Sequence, residues 1–269
     1  MAENPPFISA TLITKNESHN VHDCLAGIAW VDEIVVVDAE SSDDTVARCE
    51  ALVAALPKEK RPVLKIFVRP WPGFAAQKQF ALEQAAGEWV LNLDADERVT
   101  PELAREIDEV IRQVETKAGY YIPMLSSFLG KFIHHSGWYP GYHLRLFRRD
   151  CTRLQHSHVH EGFIVAGERG YLKNDMLHLT HRTLAESFER MNRYSTLEAQ
   201  DRLARGQRAQ WWDFFVHPLS AFWNRYVYHQ GFRDGIHGLI LAMVAATVKM
   251  ALYMKLWELQ QKVAVEREA

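Results

Sequence analysis

Trp89-Val90-Leu91-Asn92-Leu93-Asp94-Ala95-Asp96-Glu97 reads as an apolar strand that runs into three carboxylates. Residues two apart on a strand point to the same side, so Asp94 and Asp96 are expected to project together at the strand's end. Two carboxylates at the carboxyl end of a strand in an α/β sheet suit a hard divalent cation carrying phosphates. The plainer alternative is a solvated acidic turn that caps the next helix. The remainder of the chain decides between the two.

Outward from this stretch, strands and helices alternate. Residues 7–13 form a β-type run ending in the polar Thr14-Lys15-Asn16-Glu17, and 21–29 reads as a helix. Residues 33–37 are a continuous run of the kind a buried parallel strand shows, closed by Asp38. Ser41-Ser42-Asp43-Asp44 then has the composition of a helix start before 45–56. A third strand is expected at 63–68, followed by the loop Pro70-Trp71-Pro72-Gly73 and a helix over 75–86 that Gly87 ends. Pro101 opens another helix, to about residue 115. Such alternation implies a mostly parallel sheet with right-handed crossovers.

From 120 to about 179 the pattern changes to short strand-like pieces rich in Gly, His, Arg and aromatics. These are read as an antiparallel extension that carries substrate contacts. Eight of the 13 histidines fall between His134 and His181, a density more typical of site chemistry than of a polar surface. Residues 184–206 read as a helix.

The chain has 269 residues and a formal net charge of −3, which gives no basic face for nucleic acid. Cys24, Cys49 and Cys151 are far apart and fit a reduced compartment rather than a disulfide framework or a cysteine-based zinc site. Met1-Ala2-Glu3-Asn4-Pro5-Pro6 lacks the features of a signal peptide, so a cytoplasmic location is expected. The last part, 211–259, is aromatic and apolar with Arg and Lys interspersed. Residues 236–257 are interrupted by His237, Lys249 and Lys255, and the uninterrupted apolar part is about half of the roughly 20 residues a bilayer span needs. Helices lying at a membrane surface are therefore expected here rather than a transmembrane helix. A helical layer packed on the core, or contact with another copy of the chain, would use the same composition.

Four blocks now stand in order. They are Ile13-Thr14-Lys15-Asn16-Glu17; Val35-Val36-Val37-Asp38 before Ser41-Ser42-Asp43-Asp44-Thr45; Leu93-Asp94-Ala95-Asp96-Glu97; and Gly137-Trp138-Tyr139-Pro140-Gly141-Tyr142-His143-Leu144-Arg145-Leu146-Phe147 with Val159-His160-Glu161. Together they resemble a family 2 glycosyltransferase of the GT-A fold, in the bacterial branch that adds glucose or a similar hexose to the inner core of lipopolysaccharide. The family pattern has Gly where this chain has Glu40.

The resemblance implies a GT-A domain over residues 1–205, a Rossmann-like, mostly parallel sheet with helices on both faces, and a C-terminal helical extension over 206–269. It implies Asp38 on the uracil or ribose of a nucleotide-sugar donor, with Thr14 and Glu17 lining the pocket and Lys78 a candidate for the diphosphate. Asp96 would be a direct ligand of Mg²⁺ or Mn²⁺, with Asp94 reaching the ribose or the metal through water, and His178 in preference to His181 completing the shell. Glu161 is the candidate catalytic base, with Asp150 and Asp175 as rivals, and His160 would orient it or contact the acceptor. Arg145, Trp138 and Tyr139 are candidates for the acceptor side, Arg145 through phosphate and the two aromatics by stacking on a sugar.

The function implied is an inverting, metal-dependent hexosyltransferase that uses UDP-glucose. Its acceptor would be a lipid-linked saccharide met at the inner face of the inner membrane. Two alternatives remain at this point: a nucleotidyltransferase, whose Gly-rich basic loop is absent after the first strand, and a histidine-rich metal-binding or membrane-scaffold module.

Overall fold

The computed structural model describes residues 6–155 and 162–268. The chain divides into two compact units, residues 1–124 with 141–178 and residues 125–140 with 179–269.

The first unit is built on four parallel strands: β1 (Ile8–Thr14), β2 (Glu33–Asp38), β3 (Val63–Val68) and β4 (Trp89–Asp94). They lie in the order β3-β2-β1-β4. Every residue of β1 and β2 is buried, which explains their near-continuous apolar runs. Helices α1 (Val21–Gly27), α2 (Thr45–Ala55) and α4 (Pro101–Ile111) place Leu25, Cys49, Val53, Leu103 and Ile107 against Leu12, Val36 and Leu91. Helix α3 (Phe74–Gln84) supplies Ala81 and Leu82 to a separate cluster with Val35, Val37 and Val90. The sheet is thus covered on both faces, as a parallel sheet requires. α4 begins as its sequence suggests, with Pro101 in its first turn and the Thr100 hydroxyl accepting the Leu103 N–H at 3.1 Å.

The sheet continues through β8 (Gly141–Arg148), which is antiparallel to β4 and also to β6 (Gly119–Phe128). Two short strands, β5 (Glu97–Val99) and β12 (Met176–His178), pair antiparallel with each other, His178 opposite Glu97. β11 (Arg169–Tyr171) pairs with β6 in parallel, an exception to the antiparallel pattern expected for this region. β9 (Thr152–Gln155) and β10 (Gly162–Val165) form a separate hairpin-like pair.

The second unit holds β7 (Lys131–Phe132), α5 (Leu184–Ala204), α6 (Asp213–Trp223) and α7 (Ile236–Glu268). Asp234 is buried and accepts the backbone N–H groups of His134 and His135 and a hydrogen bond from the Ser136 hydroxyl, with the His135 ring at 3.1 Å. α7 is one continuous helix of 33 residues, about 50 Å long. Over Ile236–Val263 it is long and apolar enough to cross a membrane by length and composition, a longer apolar helix than the sequence pattern implied. Its later part nevertheless binds the polar α5. Lys255 donates to the Asn192 carbonyl and side chain and to the Ser195 and Thr196 hydroxyls, and Arg202 donates to the Tyr253 hydroxyl at 2.9 Å. α6 turns an apolar stripe to solvent: Phe215, Val216, Leu219 and Trp223 are all exposed, as is Trp212 just before it.

Candidate active site

Because β1, β2 and β4 are parallel, their carboxyl ends open on one edge of the sheet. Thr14 lies opposite Asp38 and Ile13 opposite Asp94. Two strand spacings, roughly 10 Å, therefore separate the backbones of Asp38 and Asp94 across the end of β1. A crevice at the carboxyl edge, where strand order reverses, is where open α/β sheets bind ligands.

On the Asp38 side, the loops after β1 and β2 are stitched together. Asp38 is fully buried; its carboxylate accepts the Ser41 N–H (2.7 Å), the Ser41 hydroxyl (2.6 Å) and the Thr14 hydroxyl (2.8 Å). Three of about four lone-pair positions are thereby used, leaving one. Asn16 accepts the Ser42 N–H, and Thr45 accepts the Glu17 N–H. Glu17 accepts from Asn20 at 2.7 Å. The start of α2 is capped not by Asp44 but by Asp43, which accepts both the N–H and the hydroxyl of Thr45; its pKa is lowered to about 2 because these bonds and the one from Ser18 outweigh desolvation. Glu40 takes φ 53°, the left-handed backbone that glycine adopts without steric cost, which accounts for the Gly of the family pattern.

On the Asp94 side the strand stops earlier than simple alternation implies. β4 ends at Asp94, and Ala95-Asp96 form a turn into β5. Arg98 holds this turn by donating to the Ala95 carbonyl at 2.8 Å and to the Asn20 side chain. The two aspartates consequently face different partners. Asp94 Oδ1 lies 2.8 Å from Lys78 Nζ, and Asp94 Oδ2 lies 2.6 Å from Arg145. Asp96 instead lies 3.3 Å from His178 Nε2.

Arg145 also donates to Asn92 and to Glu97, and its Nε is buried without a hydrogen-bond partner. Expected on the acceptor side, Arg145 is mostly buried, its side chain 11% exposed, as a strut of the acidic turn. Glu97 is not a solvated carboxylate; it is 1% exposed and accepts the Asp94 N–H at 3.0 Å. Burial alone would raise the pKa of Asp94, but Arg145 and Lys78 hold its carboxyl far below the usual range. Burial, reinforced by the charge on Asp94, pushes Glu97 up despite Arg145. For His178, burial works downward, and the hydrogen bond and charge of Asp96 more than offset it, so the imidazole titrates above its ordinary value.

His143 is a residue the sequence reading did not single out. It lies two positions before Arg145 on β8, across the register shift at that arginine, partly exposed and within the field of Arg145, His178 and Asp94. Partial burial and the nearby Arg145 lower its pKa, which favours a neutral ring. Its place two residues before Arg145, in the block 137–147, was the signal that could have marked it.

The other expected site residues fall elsewhere. Glu161 and His160 lie outside the described residues. Trp138 packs edge-on against Phe128, with centroids 5.9 Å apart, and belongs to a small core of the second unit; Tyr139 lies edge-on to His134. His181 is bonded to the Ser187 hydroxyl within that second unit. Of the rival bases, Asp150 is exposed beside Arg148, and the Asp175 carbonyl accepts the Thr100 hydroxyl.

The donor set at Asp96 fits a divalent metal of the Mg²⁺ or Mn²⁺ type. It offers one carboxylate oxygen and one imidazole, with a second carboxylate, Asp94, on the same turn. Among the described residues no three His, Cys, Asp or Glu side chains group closely enough to hold a metal by themselves. Such ions are commonly held by one or two carboxylates together with substrate phosphates.

A parallel sheet covered on both faces, with two aspartates at its carboxyl edge and an antiparallel extension beside them, is the architecture of the GT-A fold. Residues 9–174 match the profile described as Glycosyl transferase family 2, and the chain belongs to that family. It is similar to the lipopolysaccharide core biosynthesis glycosyltransferase LpsC of Rhizobium meliloti, 30% identical over 93% of this chain and 92% of that protein. It is also similar to an uncharacterized glycosyltransferase of Rickettsia conorii, 28% identical over 93% of this chain and 90% of that one. Among solved structures, a mannosyltransferase from Pyrobaculum calidifontis in complex with GDP-Man and Mn²⁺ superposes with a TM-score of 0.54 at 15% identity, covering 95% of this chain and 88% of that one.

Proposed function

We propose that the chain is an inverting, metal-dependent hexosyltransferase that moves glucose from a UDP-sugar to a lipid-linked saccharide of the lipopolysaccharide inner-core type. The observation that carries this is the acidic turn. Asp94 and Asp96 stand at the carboxyl edge of the sheet, Asp94 with two cations, Lys78 and Arg145, and Asp96 with His178.

The nucleoside lies along Thr14, Glu17 and Asp38, where the one unused acceptor position of Asp38 serves a base N–H or a ribose hydroxyl. Asp96 and His178 would hold the metal, with Asp94 reaching the ribose or the metal through water. An ion held there would supply positive charge against the departing diphosphate. Lys78 supplies a further positive charge there. Glu161 accepts the proton of the acceptor hydroxyl as that oxygen attacks the anomeric carbon. Arg145 acts from beneath the turn rather than on the acceptor.

Similarity to LpsC over nearly the whole of both chains supports the choice of acceptor class. The exposed apolar stripe of α6 supports a peripheral seat on the inner face of the inner membrane, where such an acceptor is met.

The test is transfer from a panel of nucleotide sugars, with Mg²⁺ or Mn²⁺, to glycolipid acceptors truncated in the core, with products identified by mass and anomeric configuration. Metal-dependent transfer with inversion is expected, and Glu161→Gln should lower kcat by about 10²- to 10⁴-fold while UDP binding persists. No transfer and no hydrolysis from any sugar of the panel would sink the reading.

A further inference from the structure

We propose that Lys78 couples metal binding to nucleotide binding: paired with Asp94, it withholds that carboxylate from a metal ion until a diphosphate is present to take the ammonium. The inference rests on the nucleotide-sugar reading above and adds a positioning role that acts through Asp94.

Both oxygens of Asp94 carry a cation, Lys78 on Oδ1 at 2.8 Å and Arg145 on Oδ2 at 2.6 Å. The two cations differ in how firmly they are held. Arg145 is tied to Asn92 and Glu97 as well, within a buried fork that cannot leave without stranding those acceptors. Lys78 stands on the second turn of α3 with its side chain partly open to solvent. A lysine ammonium is a point charge on a flexible four-carbon stem, free to exchange one anionic partner for another.

A metal dication arriving alone at Asp94 meets two positive charges and must displace one that gains no new partner in exchange. A diphosphate reverses that balance. Its oxygens draw Lys78 away, leave one face of Asp94 open and bring ligands of their own to the metal beside Asp96 and His178. The coupling is reciprocal by linkage: the factor by which nucleotide tightens metal equals the factor by which metal tightens nucleotide. Direct phosphate contact by Lys78 would lower nucleotide affinity on its removal and leave metal-only affinity unchanged. The exchange proposed here makes the two move in opposite directions.

The experiment measures free Mn²⁺ by its electron paramagnetic resonance signal, in titrations of the full chain with and without UDP. Wild type, Lys78→Met and Lys78→Arg are compared, with near-ultraviolet circular dichroism as the check on folding and Lys78→Gln in reserve. In wild type, UDP is expected to tighten Mn²⁺ at least about tenfold. In Lys78→Met, Mn²⁺ without nucleotide should bind about tenfold tighter than in wild type, UDP should bind more weakly, and the coupling factor should fall about tenfold or more. Lys78→Arg should restore weak metal-only binding. Unchanged metal-only affinity in folded Lys78→Met, or a parallel loss of both affinities, overturns the proposal. Failure of wild type to bind UDP or any other nucleotide overturns the donor reading itself, and the inference with it.

Discussion

Asp96 and His178 should respond to pH in one sense without metal and in the opposite sense with it. Their pairing raises the folded-state pKa of the imidazole, so its stabilising contribution is fully present below the ordinary histidine value near pH 6.5 and is lost as pH rises through the raised one. Metal binding needs the neutral ring and must displace that proton. Between about pH 6 and 8 the metal-free melting temperature should therefore fall modestly while Mn²⁺ affinity, at saturating UDP, rises. Scanning fluorimetry and calorimetry at a series of pH values would show this, and His178→Ala should flatten both trends; curves that move together would remove His178 from the metal site. At this scale Asp94, Asp96 and His178 could be picked out from the chain because each sits in a motif. Glu97 and Arg145 were visible as residues but not in their roles. A buried salt-bridge cluster forms only once β8 is laid beside β4 and meets the turn into β5, and no spacing in one strand reports on its neighbour.

Gly87 lies between α3 and β4, the strand that ends in Asp94. A Cβ there would stand 2.6 Å from the Ser9 N and 2.7 Å from the Ser9 hydroxyl. That hydroxyl accepts the Gly87 N–H and donates to Glu33, whose carboxylate also accepts the Ala86 N–H and pairs with Lys65. Gly87→Ala should cost about 1–3 kcal/mol by overpacking, measured by chemical denaturation, whereas Gly206→Ala meets no atom within 4 Å and is disfavoured only by its positive φ of 76°. A neutral Gly87→Ala would mean that the turn is slack. The helices and the four parallel strands were legible because hydrophobic period and punctuating residues agree within each of them. Alternation failed at Ala95, where the chain turns. The parallel pairing of β11 with β6 and the β12–β5 pair left no trace in sequence, because short strands owe their pairing to partners distant in the chain.

For the molecule as a whole, the exposed side of α6 invites a lipid test. Phe215, Leu219 and Trp223 lie on its solvent face, so replacing all three by Ser should leave the melting temperature nearly unchanged. Flotation with vesicles containing anionic phospholipid should drop about tenfold or more if that face inserts, since each large side chain buried in lipid contributes roughly 1.5–3 kcal/mol. Alkaline carbonate should also release the wild-type protein from such vesicles; retention in the pellet would favour a spanning α7, which by length and composition can cross a membrane. The apolar character of this region was plain in the sequence. Its organisation was not, because the second unit combines residues 125–140 with a segment that begins at 179.

That discontinuity bears on biosynthesis. During translation, His134, His135 and Ser136 leave the ribosome about a hundred residues ahead of Asp234, the carboxylate that receives them. Phe128 and Ile133 wait as long for Leu241. The excursion therefore spends much of synthesis without its packing partners, exposed to holdase chaperones and to premature pairing. A nascent chain stalled before residue 234 should carry this segment unprotected from proteases, even with the strands of the acidic turn already assembled.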